Sequence, residues 1–274
     1  MIIRVLLAVF IVTPQLIGAQ VNLVPNGDFE TNTVKDFPCS WLVDDGNIND
    51  YLYDWFTPIA TTTDVMSNYA DSDCWARTPN TGEGFMLPHS GSVMVGFINY
   101  SPDGGCQPNE WHEYLSVELT EALTPGNMYC LEFYVALGAN SLYATNNIGA
   151  LFTTGSPENT SCTPIFKKPQ VNVSQVVKNT TQWMRIELGF LADSAYRYLT
   201  LGNFFNHAET IIEEMKEKPA LTPEGTPVIT DEDVAIEYDE ESTGVSHLAY
   251  YFIDDVKLYL CPSVKTTPTK PSGN

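Results

Sequence analysis

The chain is poor in positive charge. Its 274 residues carry 13 lysines and arginines against 34 aspartates and glutamates, a formal net charge of −21. A surface of that sign excludes nucleic-acid binding, which rests on Lys and Arg clustered against phosphate, and it excludes docking onto anionic lipid. It favours solubility and leaves carboxylates available to divalent cations. After the first twenty residues no apolar run is long enough for a membrane-spanning helix. No Cys-x-x-Cys occurs, so a thiolate zinc site has no support. His-Glu-x-x-His, Gly-x-Ser-x-Gly and a glycine-rich phosphate loop are absent as well, which leaves the enzyme classes marked by those motifs without a candidate. Acids are so plentiful that no pair of them singles out a glycoside-hydrolase site. Helical windows are few, and there is no internal repeat.

A hydrophobic content of 43% with 12% aromatics describes a globular protein. The length suits one large all-β domain or two smaller ones. Residues 1–19 read as a secretory signal: Arg4 is the charged start, Val5 to Val12 the apolar run, and Ile17-Gly18-Ala19 the small-residue cleavage site. A buried first strand or helix is the competing reading. An even number of cysteines after a signal peptide implies disulfides in an oxidising compartment. The pairs expected are Cys39 with Cys74, both in a loop-rich early region, and Cys130 with Cys261, each at the end of a predicted strand. Free buried cysteines are the alternative.

Most of residues 20–262 reads as short strands separated by turns. Val93, Val95 and Phe97 alternate, as do Leu115, Val117 and Leu119. The same holds for the odd positions of 130–137, and for Met184, Ile186, Leu188 and Phe190. Ile148 to Phe152, Leu199 with Leu201, and residues 250–260 complete the set, and Thr124-Pro125-Gly126-Asn127 is a turn. Strands of this number and spacing predict an all-β sandwich. Residues 38–90 show weak periodicity and read as long structured rim loops. Residues 206–246 hold twelve acids against Lys216 and Lys218 and read as an acidic insertion. Within it Ile211, Ile212 and Met215 sit at helical spacing, which predicts a short helix over 209–218. The insertion is either a solvated flap or a calcium-responsive or partner-binding arm. Residues 263–274 form a polar tail.

Two segments at opposite ends stand apart: NLVPNGDFE (Asn22 to Glu30) and YYFIDDVKLY (Tyr250 to Tyr259). Alternation puts Asp254 on one stripe with Phe252, Val256 and Leu258, where an ionised carboxylate is costly unless paired. First and last strands of a sandwich are often neighbours, so the segments would meet. Asp28, Glu30 and Asp254, with Asp255 as a substitute, would then offer the hard oxygens of a structural Ca2+ site. Alternatively, the acids cap backbone N–H groups.

With MYCLEFYVALGANSLYATNNIGALF and YLTLGNFF between them, these segments resemble a carbohydrate-binding-module-like domain. The type is the galactose-binding-like jelly roll of secreted bacterial surface proteins, often placed before an OmpA-like domain. The resemblance covers about residues 22–60 and 92–260 and not the acidic insertion. It implies a jelly-roll β-sandwich and a structural calcium near the two termini, carried by position onto Asp28, Glu30, Asp254 and Asp255.

A sugar would be recognised by aromatic faces against its CH face. Trp41, Trp55, Phe56, Trp75, Tyr100 and Trp111 fall in loops or at strand ends, and Trp is costly to expose without a role. Plugs of a minor core are the competing reading. The functional expectation is a secreted or cell-surface, non-catalytic carbohydrate-binding or adhesion module whose partner is a glycan or cell-envelope polysaccharide. A cell-envelope protein that binds protein partners and no sugar is the second hypothesis, and a glycoside-hydrolase-like enzyme the third.

Overall fold

The alternating segments become two five-stranded antiparallel sheets. They are seen in a computed structural model that describes residues 20–32, 48, 51–103, 110–215 and 246–262. The first sheet runs in the order β1 (Trp55–Phe56), β6 (Tyr114–Glu118), β12 (Tyr198–Gly202), β9 (Ile148–Thr153), β10 (Val171–Val173). The second runs β11 (Met184–Leu191), β7 (Met128–Leu137), β14 (Ala249–Leu260), β5 (Val93–Tyr100), β2 (Asp64–Ser67). Two short ribbons lie beside them: β3 (Asn80–Thr81) with β4 (Gly84–Phe85), and β8 (Tyr143–Thr145) with β13 (Ile212–Glu214).

The sheets pack as a jelly-roll β-sandwich with long rim loops. Leu115, Val117, Phe152, Leu199 and Leu201 of the first sheet face Phe97, Leu131, Phe133, Val135 and Ile253 of the second in one continuous core. The Phe152 ring stacks on Phe190 across the gap at 4.4 Å. Burying each such side chain contributes about 1.5–3 kcal/mol, so the interior holds the sheets together without a helix. Cys130 is bonded to Cys261, closing the last strand onto its neighbour as the spacing predicts. Cys74 is disulfide-bonded too; Cys39 lies outside the described residues, as do residues 1–19, most of the acidic insertion and the 263–274 tail.

Three expectations change. The predicted short helix is instead a 3-10 turn, His207–Glu209, followed by β13, whose Ile212 pairs with Thr145. An available sheet edge outweighs helical spacing here. Asp64–Ser67 lies in the region read as loop, yet it pairs with β5 at the edge of the second sheet. It is covered on both faces and therefore shows no alternation.

The third change concerns Asp254. Its register partner is Tyr134, but Lys257 pairs with Glu132, so one extra residue sits in β14 between them. Asp255 absorbs that bulge at φ +53°. Beyond it the parity flips: Leu258 opposes core-facing Leu131, while Lys257 continues the face of Asp254. Asp254 is therefore on the outer face of the second sheet, not on the stripe of Val256 and Leu258.

Candidate functional site

The two ends do meet. Leu23 N–H donates to Leu258 O (2.7 Å) and Val256 N–H to Gly27 O (2.7 Å). The Asn22 side chain accepts from Leu258 N–H (2.9 Å) and donates to Val256 O (3.3 Å). Gly27 is required by this closeness, because a Cβ there would lie 2.0 Å from Val256 O. The acids of the clasp are directed at backbone. Glu30 Oε1 accepts from the N–H of Ser92 (2.6 Å) and Val93 (2.8 Å). Asp254 Oδ2 accepts from His89 (2.8 Å) and Ser90 (3.2 Å), and its Oδ1 from Asp255 (2.7 Å). Both carboxylates thus grip the loop 89–93 that leads into β5. Asp28 is exposed, and Asp255 pairs with the ring of His89.

This arrangement does not fit the calcium site expected of Asp28, Glu30, Asp254 and Asp255. No three of them bring a ligand oxygen each to within 4.8 Å of one another, and the oxygens of Asp254 already hold three N–H donors. Burial pushes the Asp254 carboxyl up to about 8 despite those donors. We expect Asp254→Ala to lower the melting temperature by several degrees, since three N–H groups lose their buried acceptor. Adding Ca2+ to chelator-dialysed protein is expected to leave it unchanged. A drop on chelation that Ca2+ reverses would show that the clasp closes around the ion.

The expected aromatic residues do not gather. Trp55 is fully buried, donates from Nε1 to Asn26 O (2.8 Å) and packs its ring 5.2 Å from Phe29. It is a core residue, because its two-residue strand lies across the NGDFE turn. Tyr100 is buried edge-on against Tyr143. Trp75 and Trp111 are half-buried on different segments, and Trp41 lies outside the described residues.

Phe56 has a different setting. It pairs with Ser116, and Ser116 with Thr200, so these three share the outer face of the first sheet. Tyr198 is on that face one step along, opposite Glu118 on one side and Thr153 on the other. The Phe56 and Tyr198 rings meet edge to face at 6.5 Å, and Arg197 holds Glu118 at 2.8 Å beside them. Both rings are half-buried. From Thr153 the face continues into a groove of about 640 Å³. Its floor is Ile59, Leu151 and Thr153, its wall the segment 154–167, and its far end Ser194 and Tyr196.

The wall is held by specific bonds. Tyr114 lies on the same outer face because Gly202 leaves it room; a Cβ on Gly202, at φ +148°, would meet the Tyr114 ring at 2.5 Å. The Tyr114 hydroxyl donates to Asn203 O (2.8 Å) and accepts from Ile165 N–H (3.0 Å), tying the wall to the sheet. Backbone bonds from Asn159 N–H to Pro58 O (2.7 Å) and from Ala60 N–H to Ser161 O (3.1 Å) fix the near end. The residues that line it offer hydroxyls, an amide and Lys167; Glu158, in the same segment, bonds the Ser156 hydroxyl at 3.0 Å, and desolvation and the charges of Glu118 and Glu158 all raise the Tyr198 hydroxyl. Tyr198 could not be singled out in the sequence, since it carries no signal beyond lying one step before a strand's alternation.

Behind the groove wall, Phe166 lies edge-on to His112 at 6.0 Å. There Glu110, His112 and His207 converge; they are the single such group among the described residues with ligand atoms close enough to hold a metal ion.

No family model matches the chain, and no curated protein matches it. Among solved structures it is similar to the xylan-binding CBM22-1 domain of Paenibacillus barcinonensis Xyn10C, at 13% identity over 75% of this chain and 85% of that one, TM-score 0.37. It is similar to TmCBM61, solved with β-1,4-galactotriose, at 12% identity over 88% and 99%, TM-score 0.37. It is also similar to the K3 cleaved adhesin domain of Lys-gingipain from Porphyromonas gingivalis, at 14% identity over 72% and 90%, TM-score 0.33. At these values none of them bears on the ligand of this chain.

Proposed function

We propose that this chain is an exported, non-catalytic saccharide-binding module, and that the sugar lies across the outer face of the first sheet. The observation that carries this reading is the continuity of the paired rings of Phe56 and Tyr198 with a groove lined by hydroxyl and amide groups. Half-buried rings on a sheet face can take the CH face of a pyranose, and the neighbouring Thr153, Asn159 and Ser194 side chains match its hydroxyls. The Cys130–Cys261 disulfide supports an oxidising compartment.

Affinity electrophoresis against a panel of plant, bacterial and algal polysaccharides tests it. We expect retardation by at least one polymer, reduced about tenfold or more in affinity by Tyr198→Ala and by Phe56→Ala, with melting temperatures close to that of the unaltered chain. Absence of retardation across the panel, with a protein partner recovered by crosslinking, would favour the protein-binding class instead.

A further inference from the structure

Glu110 and His112 lie just before β6, two residues apart on an extended segment. His207 opens the turn just after β12, the antiparallel neighbour of β6. Because Gly202 pairs with Tyr114, the lead into one strand and the exit from the other are side by side. The rings of His112 and His207 stack at 5.4 Å and 11° between planes. Glu110 Oε2 is 3.3 Å from His112 Nε2 and 3.3 Å from His207 Nε2.

All three of these atoms are buried, and none has a hydrogen-bond partner. The tautomer of His112 sharpens the point. Its Nδ1 lies 2.9 Å from Asn203 O, and a carbonyl can only accept, so Nδ1 carries the proton. In the neutral ring the lone pair is then on Nε2, 3.3 Å from a carboxylate oxygen that also only accepts. Two acceptors this close in a buried position repel unless a proton or a metal ion lies between them. Glu110 is itself oriented: its other oxygen, Oε1, accepts from His207 N–H at 3.1 Å. An imidazole whose far nitrogen is held by a carbonyl, beside a carboxylate held by a backbone N–H, is the arrangement that fixes metal ligands.

We propose that Glu110 Oε2, His112 Nε2 and His207 Nε2 bind a first-row divalent transition metal of the zinc class. Two imidazoles and one carboxylate suit zinc, iron(II), manganese or cobalt in place of calcium, which takes six to eight oxygens. Bond lengths of about 2.0–2.2 Å are within reach of all three atoms by a small contraction. The three protein ligands leave at least one position open, and the ion would tie the entry of β6 to the exit of β12. The site shares no ligand with the two-ended clasp and adjoins the groove through Phe166, which packs on His112.

Zinc chloride, titrated into the full chain after dialysis against chelator, tests the assignment; excess CaCl2 is kept present to occupy the acidic surface. We expect one zinc per chain by native mass spectrometry and a higher melting temperature with zinc. His207→Ala and Glu110→Gln should each weaken binding at least tenfold and abolish the zinc-dependent rise. Long-range ¹⁵N–¹H spectra of the unaltered chain provide a readout that does not depend on any variant folding: zinc should move the Nε2 resonances of His112 and His207 while the Nδ1 proton of His112 stays. No zinc retained above the calcium background, or Nε2 resonances unmoved by zinc, would overturn the assignment. So would undiminished binding in both variants.

Discussion

Replacing Trp55 by alanine is expected to lower the melting temperature by about 10 °C while leaving saccharide binding by the folded fraction unchanged. Removing a buried tryptophan costs about 3–5 kcal/mol, from lost burial and from the cavity left behind. In a domain of this size each kcal/mol shifts the midpoint by roughly 2–4 °C. The Trp55 ring fills the space under Phe29, and its Nε1 is the donor that Asn26 O receives. The NGDFE turn therefore loses both its packing and a hydrogen bond, and its grip on β14 loosens with it. Phe56→Ala, one residue away on the opposite face, is expected to do the reverse: little change in melting temperature and a loss of binding. Thermal denaturation and affinity electrophoresis on the two variants separate the roles. Equal losses of binding in both, at temperatures where both are folded, would contradict this division.

The second large effect is on pH. Stability should fall by roughly 2–4 kcal/mol as the pH rises from 6.5 to 8.5. Three carboxyls are buried with too little to stabilise their charge. Asp64 accepts from the Tyr250 hydroxyl at 2.7 Å. Glu113 accepts from Thr62 N–H, the Thr62 hydroxyl and Ile98 N–H. Desolvation pushes Glu113 up to about 7, and it raises Asp64 well above the carboxylate range, with the nearby charge of Glu113 adding to the effect. Asp254, at about 8, completes the set. Above pH 4 the unfolded chain has released these protons and the native chain has kept them, so the native state binds more protons. The stabilisation is complete below the unfolded values near 4 and is lost as the pH passes through 7 and 8. His112 and His207 act oppositely at lower pH, because burial keeps them below their ordinary value and they must shed protons to fold. The unfolded chain is still half protonated at both positions at pH 6.5, so they oppose the fall by about 0.4 kcal/mol each over the next unit, less than the carboxyls remove. Thermal melts at half-unit steps check the slope. Asp64→Asn should flatten it and raise the melting temperature at pH 8.5, since an amide oxygen can still accept from Tyr250. A profile that rises across this interval would contradict the placement of these acids.

The long strands were legible because their alternation survives at the sequence level. β5, β7, β11 and β14 are each half or wholly core-facing at period two, and the Cys130–Cys261 pair follows from where two of them end. What could not be read has identifiable causes. The bulge at Asp255 needs a positive φ at a non-glycine residue, and no composition signal marks it. It reverses the face of everything after Asp254. Trp55 looked like a loop aromatic because its strand is two residues long and its neighbours, Phe29 and Val117, come from elsewhere in the chain. The two-histidine cluster depends on β6 and β12 being neighbours, a pairing between residues eighty or more positions apart. The candidate sugar face depends on the same pairing. Of its residues only Phe56 could be named from sequence, through being aromatic.

The proposed saccharide lies on the outer face of the first sheet. Chemical-shift mapping with the polysaccharide that retards the chain, supplied as a short oligomer, tests it most directly. Perturbations are expected to cluster on Phe56, Thr153, residues 154–167, Arg197 and Tyr198, and to vanish in Tyr198→Ala. Perturbations centred on the opposite sheet, around His89, Tyr134 and Trp183, would contradict it.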